Sequence, residues 1–417
     1  MKEGIKMPIY ERETLCIILA FLVFNLFVFG SAYGKEYTLD EIIGLAVEKN
    51  VELSILKARL EANRGRVVSA RAFLNPEVDF TIGRGKEMGA SVFEYSFGVA
   101  QTLEFPSKRF FRLKFAETLV EVSEKDIDYL LLEIKSRVKK AFLKLVLDKK
   151  ILSVLEENIK AIDELVKAVQ IKFEIGEVSE YDYVKVKTDY LTATNELRRA
   201  KNNVQISKSN LNSILANSLQ DDFDVIGELI FREEKYKLED LLSSMKEKHP
   251  LILRAKKEVD LKRYALQKER VSFLPDITLK LFYDSEVDKK LYGVGFSLSL
   301  PVFYRNMGEI ITASMELAEA EYESQKILVE MSKAVNEEYQ NYLSSYERAK
   351  TFREELLMNA RRALELSKLS YLQGESGLLD YLDSLRVYRL VLIEYYQTLF
   401  ELEVSITELE KLTGGIK

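Results

Sequence analysis

Residues 293–301, GVGFSLSLP, decide the fold, because their apolar side chains recur at every second position until a proline ends the pattern. Val294, Phe296 and Leu298 alternate with glycine and serine, which is typical of a β-strand with one apolar face and one small or polar face. A similar stretch, GVAQTLEFP, lies about 195 residues earlier at 98–106. The same element therefore occurs twice, which indicates an internal duplication.

Further matches follow in the same order, at a nearly constant offset of about 195–200 residues. They pair YTLDEII at 37–43 with YKLEDLL at 236–242, FLNPEV at 73–78 with FLPDI at 273–277, and Gly-x-x-x-x-x-Asp-Tyr at 176–183 with the same pattern at 374–381. Each match is weak, but their shared order predicts two structural repeats at 35–218 and 236–414. A linker or equatorial region is expected at 219–235.

Each repeat is predicted to contain a helix, a β-hairpin, a long helix and a second helix. The first helix is expected at 39–72 and again at 238–272, because apolar residues recur there at three- and four-residue spacing. Four prolines are predicted as the strand-entry turns that separate helix from hairpin: Pro76, Pro106, Pro275 and Pro301.

The long helices are indicated by the absence of helix breakers. No proline or glycine occurs from 107 to 174, which allows on the order of 100 Å of helix. The second repeat offers a similar run from about 308 to 372, and helices of this length need lateral partners. The turns into the antiparallel helices at 180–215 and 378–412 are expected at three glycines: Gly176, Gly374 and Gly377.

The composition argues against an enzyme. The 417 residues include one Cys, one His and no Trp, so they exclude a disulfide framework, a cysteine zinc site and a multi-histidine metal site. A net charge of −6 gives no reason to expect a nucleic-acid partner. We therefore expect no catalytic residues, no cofactor and no bound metal. The one histidine, His249, precedes Pro250 and is expected to have a capping or surface role.

The N-terminus has the order of a secretory signal peptide. Basic residues precede an uncharged apolar run at 15–30, and small residues follow it at 31–34. The run is short for a membrane span, which needs about 20 residues. The sequence thus predicts a signal peptide at 1–34, with a retained N-terminal anchor as the alternative. Removing the signal leaves an exported chain without cysteine.

The strand pattern allows two interpretations. Strands with one apolar face fit a sheet that covers a core, which alternation alone favours, and they also fit a membrane β-barrel that is apolar towards lipid. Two hairpins supply four strands, however, and closed barrels begin at about eight. If these strands face lipid, several chains must share one barrel.

The duplication, the FLNPEV and FLPDI hairpin entries and the segment from Tyr371 to Asp383 resemble the TolC-type outer-membrane efflux family over nearly the whole mature chain. The resemblance implies a mainly α fold with a small β part. Internally duplicated long helical hairpins would form an α-barrel, and the two β-hairpins would contribute four strands to a shared trimeric 12-stranded outer-membrane β-barrel.

The resemblance also implies a function. The homotrimer would sit among outer-membrane lipids with its helical tunnel in the periplasm. It would passively export solutes that an inner-membrane pump, of RND or ABC type, delivers through a periplasmic adapter protein, in a tripartite efflux or type I secretion system. The alternative is a soluble exported coiled-coil scaffold or adhesin without pore activity.

Five residues near the helical turns are candidates for a periplasmic gate through the same resemblance. Asp380 and Asp383 are three apart and share a helix face, so a trimer would place six carboxylates around the entrance and favour cations. Asp182 matches Asp380 in the first repeat, and Lys185 stands where Asp383 would be, available to pair with an acid across the helix ends. Tyr371 fits a restraining tyrosine of the family. The alternative for both aspartates is a helix cap.

Overall fold

The computed structural model describes residues 35–87, 90–219, 222–233, 235–286 and 289–415. The predicted signal peptide at 1–34 lies outside these residues. The described chain is mainly helical, as predicted. Its helices are α1 (Leu39–Lys49), α2 (Val51–Arg71), α3 (Pro106–Glu174), α4 (Glu180–Ile214), α5 (Leu238–Lys248), α6 (Pro250–Ser272), α7 (Met307–Thr351), α8 (Leu357–Gln373) and α9 (Leu378–Thr413). Among them, none combines the length and the apolar character that a membrane span requires.

The described residues form six strands, of which four are nine residues long or more. They are β1 (Glu36–Tyr37), β2 (Glu77–Glu87), β3 (Ala90–Leu103), β4 (Asp224–Val225), β5 (Ile277–Ser285) and β6 (Lys290–Leu298). Pro76 directly precedes β2, and Pro275 precedes β5 by two residues, as expected of strand entries. Pro106 and Pro301 instead follow β3 and β6, where the chain leaves the sheet and returns to helix. The order of elements is the same in both halves, as the two proposed repeats require.

The described chain forms two compact units, each assembled from three separate segments. Among the described residues, one unit draws on 35–49, 138–230 and 356–400, and the other on 50–137, 231–355 and 401–415. Each unit therefore takes residues from both proposed repeats. We describe the first as the hairpin-end unit and the second as the sheet unit.

The hairpin-end unit includes a small parallel sheet that ties the start of the described chain to the segment between the proposed repeats. Glu36 and Tyr37 of β1 pair with Asp224 and Val225 of β4. The Lys149 ammonium donates to both Asp224 carboxylate oxygens, at 2.7 and 2.8 Å. Apolar side chains of the same segment are buried, namely Phe223, Val225 and Leu229. The described part of 219–235 is thus packed structure.

The sheet unit holds a four-stranded antiparallel sheet in the order β2-β3-β5-β6. Because directly opposed residues share a face, the register divides the side chains between two faces. One face is mainly apolar, although Arg84, Gln101, Ser285 and Lys290 also lie on it, and its apolar residues are these: Val78, Phe80, Ile82, Phe93, Tyr95, Phe97, Val99, Leu103, Ile277, Leu279, Leu281, Tyr283, Tyr292, Val294, Phe296 and Leu298. We call this set the apolar sheet face.

The opposite face carries mainly small and polar side chains, although Phe282 and Leu291 also lie on it. Asp79 of β2 and Lys280 of β5 form an ion pair at 3.1 Å on this face. Gly98 lies between them, and a Cβ at this glycine would stand 2.8 Å from Lys280 Cε. A glycine at 98 thus leaves room for the lysine to cross β3 and reach the carboxylate.

The first helix of each half was predicted as one element, and the structure corrects this. The first helix breaks at Asn50, where the backbone is extended. The Asn50 side-chain oxygen accepts from Leu53 N at 2.8 Å and so caps α2. The second breaks at His249, because a residue before proline avoids the α conformation. His249 Nδ1 accepts from Leu251 N at 3.2 Å and caps α6.

The long helices are confirmed. α3 runs for 69 residues from Pro106. Its counterpart in the second half spans α7 and α8, joined by a π-helical segment at Phe352–Leu356, where Phe352 is buried. One extra residue in a turn leaves no clear periodic signal in the sequence, so the π segment was not predicted.

His249 lies in a closed environment and not on the surface. The side chain is 1% exposed, its ring lies edge-on to Tyr129, and Nε2 has no partner among the described residues. Burial lowers the pKa of His249 to about 4, with the Lys411 charge acting in the same direction and Glu133 opposing it. The capping role expected for His249 is confirmed, and the surface alternative is wrong.

This burial predicts a pH-dependent stability. The unfolded chain protonates His249 near pH 6.5 and the folded chain near 4, so stability is complete above pH 6.5 and falls as the pH drops towards 4, by about 3 kcal/mol in all. His249→Asn keeps a capping oxygen, as Asn50 does in the first half, but cannot titrate. Thermal unfolding at several pH values should show a shallower acid dependence for the variant than for the wild type. Parallel curves would contradict the assignment.

Candidate functional site at the helical hairpin ends

Two helical hairpins end in the hairpin-end unit with the same turn. Gly176 and Gly374 have φ values of 81° and 76°, in the left-handed region that favours glycine. Glu177 N donates to Lys172 O at 2.8 Å, and Glu375 N donates to Ser370 O at the same distance. Both hairpins therefore close with a Schellman turn, which satisfies the last carbonyl groups of α3 and α8.

An aromatic pair packs beside each turn. Phe173 stacks on Tyr183 with ring centroids 5.2 Å apart, and Tyr371 stacks on Tyr381 at 5.7 Å. In each case the first ring lies three residues before the left-handed glycine and the second seven residues after it. Both tyrosines of the second pair pack with a buried cluster that includes Val169 and Val186.

The contacts that position Tyr371 thus come from its own chain. Burial raises the pKa of its hydroxyl, and the charge of Asp182 raises it further. Lys172 Nζ lies 5.6 Å from the Tyr371 ring centroid, which is within reach of a cation–π contact. Lys172 comes from the end of α3, far from Tyr371 in the sequence, so the residues around Tyr371 could not have revealed this contact.

The two matching aspartates occupy the same position but make different contacts, because Ser179 caps α4 in the first hairpin, whereas Asp380 itself accepts a backbone N–H in the second. Asp182 N donates to Ser179 Oγ at 3.1 Å, and Ser179 Oγ donates to the Asp182 carboxylate at 2.7 Å. In the second hairpin, Asp380 Oδ2 accepts from Gly377 N at 3.3 Å. The structure therefore places Asp182 and Asp380 in the first turns of α4 and α9, where a carboxylate complements the helix dipole.

The remaining two charges pair along their own helices. Asp383 forms an ion pair with Arg386 of the same helix, and both side chains are more than half exposed. Lys185 Nζ lies 3.8 Å from Asp189 Oδ1, also one turn away on its own helix. Within this chain, Lys185 thus forms its ion pair with an aspartate of α4 and not with an acidic residue across the helix ends.

A groove of about 510 Å³ joins most of these residues. Its walls carry Lys185, Asp189, Glu196, Asp380, Asp383, Arg386 and Arg389. Arg389 donates to Glu196 at 2.6 Å and is 12% exposed, so this pair links α4 to α9. The i, i+3 spacing could have revealed Arg386 beside Asp383, whereas 193 residues separate Arg389 from Glu196. No group of three or more metal-ligating side chains occurs among the described residues.

Comparison with known proteins assigns the chain to a family. The family described as outer membrane efflux protein matches residues 42–217 and 241–415, one segment in each half. The chain belongs to this family.

Individual relatives agree with this assignment. The chain is 23% identical over 392 residues to the cobalt-zinc-cadmium resistance protein CzcC of Cupriavidus metallidurans, covering 93% of this chain and 92% of that protein. The open state of the MtrE outer membrane channel of Neisseria gonorrhoeae matches with a TM-score of 0.74 at 18% identity, over 90% of this chain and 89% of that one. The Campylobacter jejuni CmeC outer membrane channel matches with a TM-score of 0.70 at 19% identity, over 90% and 85%.

The fold expected from the resemblance is confirmed by these matches: long duplicated helical hairpins with a partial, four-stranded sheet in each chain. The family is one of outer-membrane efflux proteins.

The left-handed turns predict opposite effects for two alanine substitutions. Gly374→Ala should destabilise the protein by about 1–2 kcal/mol, because a β-carbon disfavours this backbone conformation even though nothing lies within 4 Å. Gly44→Ala in the interior of α1 meets nothing within 4 Å either and should stabilise by up to about 1 kcal/mol. Thermal unfolding should separate the two variants in opposite directions from the wild type. A Gly374→Ala protein as stable as the Gly44→Ala control would contradict the turn geometry.

Proposed function

We propose that three copies of this chain form an outer-membrane duct that passively exports solutes. An inner-membrane pump, of RND or ABC type, would deliver them through a periplasmic adapter protein. The proposal is supported most by one observation, a four-stranded sheet with an exposed apolar face and two unpaired edges.

The edges require partners. Among the described residues, β2 pairs only with β3, and β6 pairs only with β5. Each edge strand leaves a row of backbone N–H and C=O groups without partners, and these groups are costly in a bilayer. Three copies would supply 12 strands and join every β6 to a neighbouring β2, which removes all edges.

The apolar sheet face requires an apolar environment. Tyr292 and Phe296 are each 81% exposed and Val294 is 75% exposed. Such side chains cover the face from β2 to β6, while Asp79, Thr81, Lys280 and Ser297 lie on the other face. An apolar exterior and a polar interior are typical of outer-membrane barrels.

Two lysine substitutions, one on each face, test this orientation. Phe296→Lys would expose a charge to lipid, at a cost of up to about 2–4 kcal/mol at the bilayer midplane, whereas Ser297→Lys would face a water-filled lumen. We expect Ser297→Lys to insert into planar bilayers and conduct like the wild type, and Phe296→Lys to insert poorly. Equal insertion of the two variants, or a wild type that dissolves without detergent and conducts nothing, would contradict the duct.

We further propose that Asp380 and Asp383 form the gate ring and favour cations at the entrance, in addition to the cap that Asp380 provides. Both lie next to the exposed turn of the second hairpin, and threefold symmetry would repeat them three times. Divalent cations are the cargo to examine first, because the relative CzcC is named for cobalt, zinc and cadmium resistance.

Asparagine substitutions separate the ring from the cap. Asp380→Asn keeps a capping oxygen and removes the charge. Because Asp383 already shares its charge with Arg386, we expect Asp380→Asn to lower single-channel cation selectivity more than Asp383→Asn does. Asp40→Asn removes an exposed carboxylate from α1 and serves as the control. Reversal potentials in a KCl gradient measure the effect. Unchanged cation selectivity in Asp380→Asn would contradict the gate ring and leave helix capping as the role of Asp380.

A further inference from the structure

Four arginines lie at the end of the sheet where its strands meet the helices. Arg71 ends α2 before β2, and Arg270 lies near the end of α6 before β5. Arg109 follows β3 in the first turn of α3, and Arg305 follows β6 just before α7. Each half contributes one arginine before its hairpin and one after it. We call these four residues the arginine rim.

The rim arginines lack carboxylate partners among the described residues, although carboxylates are close in sequence. The neighbouring acids are engaged by other groups: Glu104 by Arg112, Asp276 by Lys108, Glu269 by Lys268 and Glu309 by Tyr304. Glu77, at the start of β2, lies on the polar face of the sheet. Three of these acids are ion-paired with other cations, whereas Glu309, which accepts from a neutral hydroxyl, and Glu77 keep their charges, so the four rim arginines outnumber the remaining negative charges nearby.

Arg109 is fixed in place by neutral groups. Its Nε and Nη2 donate to the Arg71 carbonyl oxygen at 3.1 and 2.7 Å, and its guanidinium carbon lies 4.0 Å from the Phe73 ring centroid. Phe73 is itself 74% exposed. An arginine that is positioned on an exposed aromatic ring and has no acid keeps its charge available for an external anion.

Exposed aromatic and aliphatic side chains surround the rim. Phe303 next to Arg305 is fully exposed, and further exposed residues of the same segments are Leu74, Phe105, Phe110, Leu300, Val302 and Tyr304. Aromatic rings beside cationic side chains are typical of the level where a bilayer meets water. The rim also continues directly from the last residues of the apolar sheet face, Leu103, Ile277 and Leu298.

We propose that the arginine rim binds the phosphate groups of anionic phospholipids in the membrane leaflet on the helix side of the sheet. The proposal rests on the membrane location of the apolar sheet face. Guanidinium groups bind phosphate oxygens in a bidentate manner, and the exposed rings would lie among the glycerol and upper acyl groups. The rim would fix the depth of the sheet in the bilayer.

The test uses the purified mature protein in detergent and two lipids with the same acyl chains, phosphatidylglycerol and phosphatidylcholine. Native mass spectrometry counts the bound lipids. The variant Arg71→Gln/Arg305→Gln removes two exposed side chains that make no ion pair within the described chain. Arg198→Gln/Arg199→Gln on α4 removes the same charge from exposed positions outside the sheet unit and is the control.

We expect the wild type to bind phosphatidylglycerol more tightly than phosphatidylcholine. Each rim arginine removed should weaken this binding about fivefold, so the double variant should lose about 25-fold, and the control should match the wild type. Equal affinity for the two lipids, or an equal loss in the control, would overturn the proposal. Inorganic phosphate that binds as tightly as the lipid would also overturn it, because the site would then be a free-anion site.

Two further measurements separate this proposal from others. If the rim variant no longer forms the assembly of the wild type on size-exclusion chromatography, the rim belongs to a subunit interface and the lipid assignment is wrong. Conductance in neutral bilayers reports on the duct independently. A wild-type protein that conducts but shows no preference for anionic lipid overturns only the lipid-binding role of the rim. A wild-type protein that does not conduct overturns the proposed duct.

Discussion

The unpaired backbone groups at the two edges of the sheet are the constraint on which the proposed assembly and its membrane location depend. β2 and β6 each pair on one side only, and the face they share with β3 and β5 is apolar. A hydrocarbon environment suits that face but does not tolerate unpaired N–H and C=O groups, so the strands need further strands. In the proposed trimer, closure by sister copies would satisfy both requirements at once and would make assembly a condition for membrane insertion.

The duplication gives the helical end of the molecule its regular construction. Gly176 and Gly374 close two hairpins with the same hydrogen bonds, and an aromatic pair packs beside each turn. The charges differ between the halves, since Lys185 stands where the second half has Asp383. In a trimer, the two hairpins of each chain would alternate around the entrance. They would share the same turn but carry different charges.

Much of the fold could be predicted because it follows from local periodicity. The two faces of β6 follow from the alternation at 293–298, and the long helices follow from the absence of proline and glycine. The break at Asn50 was missed because asparagine is tolerated within helices and its capping geometry becomes evident only in the structure. The cap at Asp380 was foreseen as an alternative. The pair of Arg389 with Glu196 and the approach of Lys172 to Tyr371 depend on tertiary packing, which one sequence does not encode locally.

Hydrogen exchange at the sheet edges tests the central claim most directly. In the detergent-solubilised protein, the outward amides of β2 and β6 should exchange as slowly as those of β3 and β5, because each edge strand pairs with a strand of another copy. Rapid exchange in β2 and β6 beside slow exchange in β3 and β5 would show that the edges stay open, and it would contradict the shared barrel.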